Sequence, residues 1–443
     1  MRKITVDILN TGGQIKPVNA VNNGPSGKSV RGISNFEDYR ALEIPYARNH
    51  DASFYSNYGG EHTVDVHRIF KDFNADENDP ESYVFAPTDE YTKTIFEAGT
   101  KVYYRLGASI EHGYKEGTYP PKDYLKWARI CEHIIRHYTE GWANGFYYDI
   151  EYWEIWNEPD CKNPDGSNPC WQGTEAEFIE FYCVTSTYLK SKFPHLKIGG
   201  PAFASVKETK QFVIDFLREV KNCGAPLDFF SFHGYLKDEQ RIVSSVNAAK
   251  KLLDTFGFEG VELHYNEWNY VRAWRGEEYK YSRIQAKRLK GAALNVSIMC
   301  AAQASPLDML MYYDARPSSW CGLFDTDSLE PLKPYYAFYL FRELRRLGTH
   351  IPTEYRVGNV YNCAATNGKS LAVILSNYSE DDSATEEKIT LEVKNLKGKA
   401  KAEIYSLDAD RNGELVEIRN INDNAELELD IPLFTTLLVK IDT

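Results

Sequence analysis

The chain has 443 residues and a formal net charge of −13, with 43% hydrophobic and 26% charged residues. This composition is that of a globular protein with room for one large and one smaller domain. The negative charge, uninterrupted by any basic block, argues against a nucleic-acid partner. No window approaches the roughly 20 apolar residues of a membrane span, so we expect no membrane partner. Aromatic residues make up 14% of the chain, which suits sugar rings as well as an aromatic core.

Short apolar runs alternate with longer helical patterns from about residue 15 to residue 350. The runs lie at 16–21, 42–48, 100–106, 150–156, 196–200, 227–232, 261–268 and 307–313. Amphipathic helices are predicted between most of them; in the example at 175–192, Thr174 and Glu177 form a capping box. Eight β-then-α units predict a closed parallel (β/α)8 TIM barrel of the α/β class.

The rhythm changes after about residue 352. Short segments of alternating apolar and polar residues predict an antiparallel β-sandwich, and they lie at 370–378, 388–393, 401–407, 425–431 and 435–441. The run at 4–9 has the same character and is expected to pair with this sheet. We predict a barrel at 13–350 and an accessory β-sandwich at 351–443 that includes residues 1–12. The acidic segment 379–387 is expected to be an exposed hairpin loop.

Cysteine usage and the N-terminus bear on the compartment. The eight cysteines show no Cys-x-x-Cys spacing, so we expect mostly reduced thiols. Cys161 and Cys170 lie in one short loop and are expected to pair only if the protein meets an oxidant. The N-terminal MRKITVDILN is interrupted by Asp7 and makes a poor secretion signal. We therefore expect a cytoplasmic protein; a homo-oligomer stays open.

Two glutamates follow barrel runs at the end where (β/α)8 enzymes place their active residues. Glu158 follows the fourth run, and Glu267 follows the seventh. These strands face each other across a barrel of eight, so the carboxylates are expected to meet over one bond. Two carboxylates around an acetal carbon can cleave a glycosidic bond, one as an acid and one as a nucleophile. A single glutamate at a strand end is usually only solvated or salt-bridged, so this interpretation depends on the pair.

Five segments in the same order resemble those of a known family, glycoside hydrolase family 39 of clan A, which contains β-xylosidases and α-L-iduronidases. The segments are YARNHD (46–51), WNEPD (156–160), DFFSFHGY (228–235), NEWN (266–269) and GLFDTDSLEPLKPYYAFYLF (322–341). The resemblance covers nearly the whole chain. It implies that Glu158 is the general acid/base and Glu267 the nucleophile of a retaining hydrolase. It also implies that Asn157 binds the sugar 2-hydroxyl.

Two pairs of residues follow barrel runs at i, i+2 spacing, which places both side chains on one side of an extended chain. Arg48 and His50 follow the second run, and His233 and Tyr235 follow the sixth. Arg48 and Tyr235 are expected to hold Glu267 as an anion. The two histidines are expected to bind sugar hydroxyls. Structural roles stay open for all four, as an ion-pair partner of a buried acid or as hydrogen-bonded core residues.

The eighth run departs from the family pattern, which often has a tryptophan there. This chain reads MLMYYDARPSSWCG at 309–322. Tyr313 is expected to take the platform role, Asp314 or Arg316 to reach the substrate, and Trp320 to supply an aromatic wall. A loop or packing role for each stays open. Extended loops at 57–85 and 160–171 favour a pocket that takes the end of a chain.

These patterns predict a retaining exo-glycosidase that forms a covalent glycosyl-enzyme, with a β-D-xyloside as the preferred glycoside substrate. An arabinosidase, another exo-glycosidase on plant side chains and a transglycosylase stay open. In a different class, so does a carbohydrate-binding protein on an inactive barrel. An acidic sugar such as iduronate is less favoured, because the sequence places no clear basic contacts for it. The sequence carries no dinucleotide, phosphate-loop or metal-ligand motif, so we expect no cofactor and no metal.

Overall fold

The structure is a computed structural model, which describes residues 2–27, 32–51, 62–111, 113–317 and 322–442. Its strands are β1 (Arg2–Asp7), β2 (Ala20–Asn22), β3 (Tyr46–Arg48), β4 (Lys101–Leu106), β5 (Tyr152–Ile155), β6 (Lys197–Phe203), β7 (Phe229–His233), β8 (Glu262–Trp268), β9 (Met309–Tyr312), β10 (Thr349–Ile351), β11 (Arg356–Val357), β12 (Val360–Thr366), β13 (Ser370–Asn377), β14 (Glu387–Lys394), β15 (Ala400–Leu407), β16 (Asn412–Ile421), β17 (Glu426–Ile431) and β18 (Thr436–Asp442). Its helices are α1 (Phe36–Ala41), α2 (Val66–Ile69), α3 (Ala86–Glu97), α4 (Tyr124–Thr139), α5 (Glu175–Lys192), α6 (Gln211–Asn222), α7 (Glu239–Thr255), α8 (Gly276–Gln285), α9 (Leu289–Gln303) and α10 (Lys333–Leu347).

Strands β2 to β9 close into a parallel barrel in sequential order, which confirms the (β/α)8 prediction. Each of the eight predicted runs contains or overlaps one of these strands. The capping box of α5 is also present: Thr174 Oγ1 accepts from the Glu177 backbone, and the Glu177 carboxylate accepts from the Thr174 backbone. No helix of the described ranges is both long and apolar enough to cross a membrane.

The inside of the barrel is arranged in layers because strand side chains alternate between the lumen and the helices. The lowest layer is aromatic: Tyr103 and Tyr152 stack at 5.4 Å, and Phe229 joins them. Two residues further along the strands the inward positions become polar, as at Glu154 and Ser231. The aromatic layer fills the lumen below these polar side chains, so they face the carboxyl end of the barrel, where a substrate can enter.

The accessory region consists of two sheets packed face to face. One sheet has the order β1–β14–β17, and the other has the order β10–β12–β13–β18–β15–β16 with β11 paired to β12. The predicted pairing of the N-terminal strand with this region is confirmed, although β1 runs parallel to β14 rather than antiparallel. Strand β10 already belongs to the larger sheet, so the predicted boundary at residue 350 falls within a strand.

The central strands β12 and β13 of the larger sheet are buried on both faces. Cys363, Ala365 and Ile374 pack against the barrel side, whereas Val373 and Leu375 pack against the three-stranded sheet. Helix α9 lies against the barrel face of the sheet, and nearly all of its residues are buried. A strand buried on both faces carries a continuous apolar run instead of an alternating one, which explains why β12 was not predicted.

The acidic segment 379–387 is not simply the exposed loop that its charge predicted. Glu380 forms an ion pair with Arg272, and Arg272 Nη2 donates to the Glu380 carbonyl oxygen at 3.1 Å. Asp382 Oδ1 accepts from Lys290 Nζ at 2.8 Å, and Lys290 is only 2% exposed. Because Arg272 belongs to the loop after β8, the accessory region contacts one wall of the barrel mouth directly.

Candidate active site

Glu158 stands at a strained turn directly after β5. Trp156 and Glu158 have φ angles of 81° and 46°, the left-handed region that non-glycine residues rarely adopt. The turn is held by the Glu158 backbone N–H, which donates to the carbonyl oxygen of Ala202 in β6 at 2.9 Å. This backbone carries the Glu158 side chain over the barrel mouth instead of into the strand register.

The structure brings the two predicted glutamates together. An oxygen of Glu158, an oxygen of Glu267 and a ring nitrogen of His233 all lie within 4.8 Å of one another. His233 Nδ1 lies 2.8 Å from Glu158 Oε1 and 3.6 Å from Glu267 Oε2. The imidazole of His233 therefore bridges the two carboxylates from β7, which places it beside the reacting groups and in contact with them.

Glu267 is surrounded by donors that stabilise its anion. Tyr235 Oη donates to Glu267 Oε1 at 2.6 Å, and Arg48 Nη1 lies 3.5 Å from Glu267 Oε2. Burial raises the pKa of Glu267, and the charge of Glu158 adds to this, whereas His233, Arg48 and Tyr235 oppose it. The side-chain contacts predicted for Arg48 and Tyr235 are thus present in the structure.

Glu158 has the electrostatic surroundings of a proton donor. Burial, followed by the negative charge of Asp160, raises the pKa of Glu158 to about 7, against the opposing charges of Arg48 and Lys210. Asp160 is fixed by an ion pair with Lys210 and by the backbone N–H of Ala204, which donates to it at 2.8 Å. A carboxyl group with this pKa is mostly protonated below about pH 7, well above the pH at which an ordinary glutamate loses its proton.

Arg48 connects the polar barrel layer to the site. It is fully buried, and its Nε donates to Glu154 Oε2 at 2.6 Å while its Nη2 donates to Asn157 Oδ1 at 2.8 Å. Because the Asn157 oxygen is occupied in this way, its amide N–H groups are left to donate toward the cleft, which Asn157 lines. This orientation suits a contact with a sugar hydroxyl.

Glu154 is a supporting residue that the sequence analysis missed. It is fully buried inside the barrel, and it accepts from Ser231 Oγ at 2.6 Å and from Asn266 Nδ2 at 2.5 Å besides Arg48. Its signal was present: in EYWEIWNEPD it is the one acidic residue within a strand of apolar neighbours, four residues before Glu158. At period two, that spacing places it on the lumen side of the strand.

Replacing Glu154 by glutamine is expected to lower the free energy of unfolding by about 3 kcal/mol, because it removes the main counter-ion of a fully buried arginine. Urea unfolding at neutral pH measures the change. Ser231→Ala, which removes one neutral donor to the same carboxylate, serves as the matched variant and is expected to cost about 1 kcal/mol. Equal losses in the two variants would show that the Arg48–Glu154 pair contributes no stability beyond an ordinary hydrogen bond.

His50 lines the cleft and is held as a neutral donor. Arg105 Nε lies 3.3 Å from His50 Nδ1, and Arg105 Nη2 donates to the His50 carbonyl oxygen at 2.8 Å and to Asp65 Oδ1 at 2.6 Å. Burial, with the positive charges of Arg48 and Arg105, lowers the pKa of His50 well below its ordinary value. With Nδ1 accepting from Arg105, Nε2 carries the proton and is the ring atom able to donate to a sugar hydroxyl.

The described residues after β9 form a polar network. Tyr313 Oη donates to Asp51 Oδ2 at 3.0 Å, and Arg316 Nη2 donates to Tyr313 Oη at 3.1 Å. Tyr313, Arg316 and Asp51 line the cleft. Asp314 is fully buried and does not line it; its Oδ2 lies 3.2 Å from Arg316 Nε, so it supports the arginine from below.

An aromatic side chain of the cleft comes from a loop that the sequence analysis did not single out. Trp274, after β8, packs edge-on against Tyr235 with 4.8 Å between ring centroids and remains 56% exposed. Trp320, which was predicted for the aromatic wall, lies outside the described residues. The cleft that contains Glu158, Glu267 and Trp274 has a volume of about 1610 Å³.

Two groups of described residues have the donor types of a metal site, with their donor atoms within 4.8 Å of one another. They are Glu158, His233 and Glu267, and Glu158, Cys161 and Cys170. In the first group the guanidinium of Arg48 already contacts Glu267, and its charge opposes a cation. In the second, a hydrogen bond with Cys161 and then burial raise the pKa of the Cys170 thiol, which disfavours the thiolate that a metal requires. Neither set fits a resident metal well.

A closed (β/α)8 barrel with two facing carboxylates at the ends of its fourth and seventh strands has the architecture of a glycosyl hydrolase. Residues 55–412 match the family model described as glycosyl hydrolases family 39. The chain therefore belongs to glycosyl hydrolase family 39, which confirms the resemblance seen in its sequence.

Individual relatives agree with this assignment. A β-xylosidase from Geobacillus stearothermophilus is 27% identical over 177 residues, which is 35% of this chain and 33%, about a third, of that protein. The whole chain superposes on a glucosidase from Croceicoccus marinus, covering 99% of it, with a TM-score of 0.82 and 20% identity. It also superposes on a monomeric β-xylosidase from Caulobacter crescentus CB15, covering 99% of it, with a TM-score of 0.71 and 16% identity. These likenesses extend the shared fold over the accessory sheets.

Proposed function

We propose that the protein is a retaining, exo-acting glycoside hydrolase in which Glu267 is the nucleophile and Glu158 the general acid/base. The observation that carries this proposal is the close approach of the two carboxylates, with oxygens within 4.8 Å. Retaining enzymes hold these groups about 5–5.5 Å apart, whereas inverting enzymes need about 6.5–9.5 Å to admit a water molecule between carboxylate and sugar. The separation supports direct attack by a carboxylate.

In the first step, a Glu267 oxygen attacks the anomeric carbon while the bond from that carbon to the leaving oxygen breaks. Glu158 transfers its proton to the leaving oxygen, so that a neutral alcohol departs and a glycosyl ester of Glu267 remains. Asn157 and His50 supply donors for sugar hydroxyls, and such bonds strengthen as the ring gains oxocarbenium character. His233, 2.8 Å from Glu158, positions the acid.

In the second step, water attacks the anomeric carbon and Glu158, now a carboxylate, takes its proton. The ester bond to Glu267 breaks, and both side chains return to their starting states. The change of role has an electrostatic cause. While Glu267 is esterified it carries no charge, so the repulsion between the two carboxylates, which raises the pKa of Glu267 in the free protein, is absent and the carboxylate form of Glu158 is favoured.

The proposed substrate is a β-D-xyloside cleaved from the end of a chain. The β-xylosidase from Geobacillus stearothermophilus supports this choice, since it is 27% identical to this chain over 177 residues. Glucosides and arabinosides are the competing substrates, because the described residues after β9 place a polar network of Asp51, Tyr313 and Arg316 in the cleft.

A panel of nitrophenyl glycosides tests the proposal. We expect the highest kcat/KM on the β-xyloside and loss of turnover in Glu267→Ala. A higher kcat/KM on the β-glucoside or α-arabinoside would change the assigned substrate but would not contradict the proposed mechanism. Absence of turnover on every sugar, together with sugar binding in calorimetry, would overturn the enzyme assignment and favour a carbohydrate-binding barrel.

A further inference from the structure

The cleft continues beyond the paired carboxylates into a groove between two loops. One wall follows β7 and includes the start of α7, and the other follows β8. The cleft residues on these walls include Lys237, Asp238, Gln240, Arg241, Ser244, Arg272, Trp274 and Arg275. This set is rich in cations, although the chain as a whole carries a net charge of −13.

Three of these cations have no carboxylate partner among the described residues. Lys237, Arg241 and Arg275 are exposed, and within the part of the chain that the structure describes no carboxylate oxygen lies within 4.0 Å of their charged nitrogens. Arg272 differs, because Glu380 and Glu278 neutralise it from outside the groove. Asp238 is the one acidic residue of the groove set, and its carboxylate caps α7. The groove thus holds an excess of about two positive charges.

The groove lies on the leaving-group side of the scissile bond. The sugar-binding candidates Arg48 and His50 follow β3, and β3 and β7 are four strands apart in a ring of eight, so they face each other. Glu158, which delivers its proton to the leaving oxygen, stands between these two sides at the end of β5. A leaving sugar that departs from Glu158, away from His50, enters the groove.

Trp274 gives the groove a surface for a sugar ring. It is 56% exposed, it precedes Arg275 in the chain, and it packs edge-on against Tyr235, which donates to Glu267. An aromatic face with charged donors beside it is the usual arrangement for binding a charged sugar, because the ring packs on the apolar face while its substituents reach the donors.

We propose that this groove is a leaving-group subsite for a uronate, with the sugar ring against Trp274 and its carboxylate paired with Lys237, Arg241 and Arg275. The inference rests on the proposed function, since only a glycosidase has a leaving group. The proposed uronate is the departing sugar. It is not the sugar whose anomeric carbon reacts, for which the sequence places no clear basic contacts. Without local cations, the net negative charge of the protein would repel such a ligand.

The test compares two xylosyl disaccharides that differ only in the leaving sugar. One carries a free glucuronate and the other its neutral methyl ester, so the anomeric chemistry is the same. At low ionic strength we expect kcat/KM to favour the free acid by about five- to thirty-fold, the sum of a few partly exposed ion pairs. The preference should shrink as salt is added.

Lys237→Gln combined with Arg275→Gln should bring the ratio of kcat/KM values close to 1. The matched control is Lys397→Gln with Lys399→Gln, which makes the same charge change on exposed residues of the accessory region and should keep the wild-type ratio. If the wild type cleaves both disaccharides equally well, or if the preference survives in the groove variant, the subsite is overturned and the proposed function stands. If neither disaccharide nor any nitrophenyl glycoside is cleaved, both the subsite and the proposed function are overturned.

Discussion

Glu267→Ala is expected to lower kcat/KM on an activated aryl xyloside by roughly 10⁵-fold or more, the scale on which loss of a covalent nucleophile acts. The reason is geometric: no other carboxylate in the described cleft shares the position between Tyr235 and Arg48. Added azide should restore turnover by entering the vacated space. Because azide attacks once, from the side that Glu267 occupied, the product from a β-xyloside should be the α-xylosyl azide.

The control for this variant is Glu259→Ala, an exposed glutamate three residues before the other end of the same strand, β8. It should keep the wild-type rate and fold. If Glu267→Ala retained a rate within about tenfold of the wild type, or if azide gave the β-azide, another group would have to be the nucleophile.

Glu158→Ala should show an effect that depends on the leaving group. For a sugar leaving group, which needs a proton, kcat/KM should fall by roughly 10²- to 10⁴-fold, the contribution of a general acid. For a dinitrophenolate, which leaves without protonation, the first step should be nearly unaffected. Azide should then accelerate the second step and yield the β-xylosyl azide. Equal losses on both kinds of substrate would indicate a damaged site instead of a missing acid.

Glu158 should also determine the alkaline limb of the pH profile of kcat/KM. The acid acts only while protonated, so with a pKa of Glu158 at about 7, kcat/KM should be retained below pH 7 and lost as the pH rises through it. Asp160→Asn removes one of the charges that raise this pKa, so its alkaline limb should move to lower pH. A limb that stays in place in Asp160→Asn would mean that another group titrates.

The barrel was predictable because its strands are short apolar runs separated by helical patterns, a local signal. The strands of the accessory sheets were less predictable. Strand β12 reads VYNCAAT without alternation, since helix α9 covers one of its faces and the second sheet covers the other. Strand β16 was missed for the opposite reason: its apolar residues Leu415, Val416 and Ile418 are exposed and do not alternate with polar ones, so the pattern of a half-buried strand is absent.

The two glutamates could be predicted because barrel topology fixes where strand ends lie. The residues that support the glutamates could not be predicted, because their roles depend on contacts between strands that are distant in sequence. Glu154 and Arg105 lie within strands. Their roles follow only from side-chain contacts inside the barrel, of Glu154 with Arg48 and of Arg105 with His50. Trp274 lies in a loop whose path follows from the Arg272–Glu380 contact with the accessory region, which no local pattern encodes.

The central claim is that Glu267 carries the sugar between the two steps. The most direct test is mass spectrometry of the protein after incubation with an activated 2-deoxy-2-fluoro glycoside of the sugar that the nitrophenyl panel ranks first. The fluorine slows both steps, and the activated leaving group lets the intermediate form faster than it is hydrolysed. We predict one added fluoroglycosyl group, located on the peptide that contains Glu267. An adduct on Glu158 or any other side chain, or time-dependent hydrolysis of the reagent with the protein mass unchanged, would contradict the account.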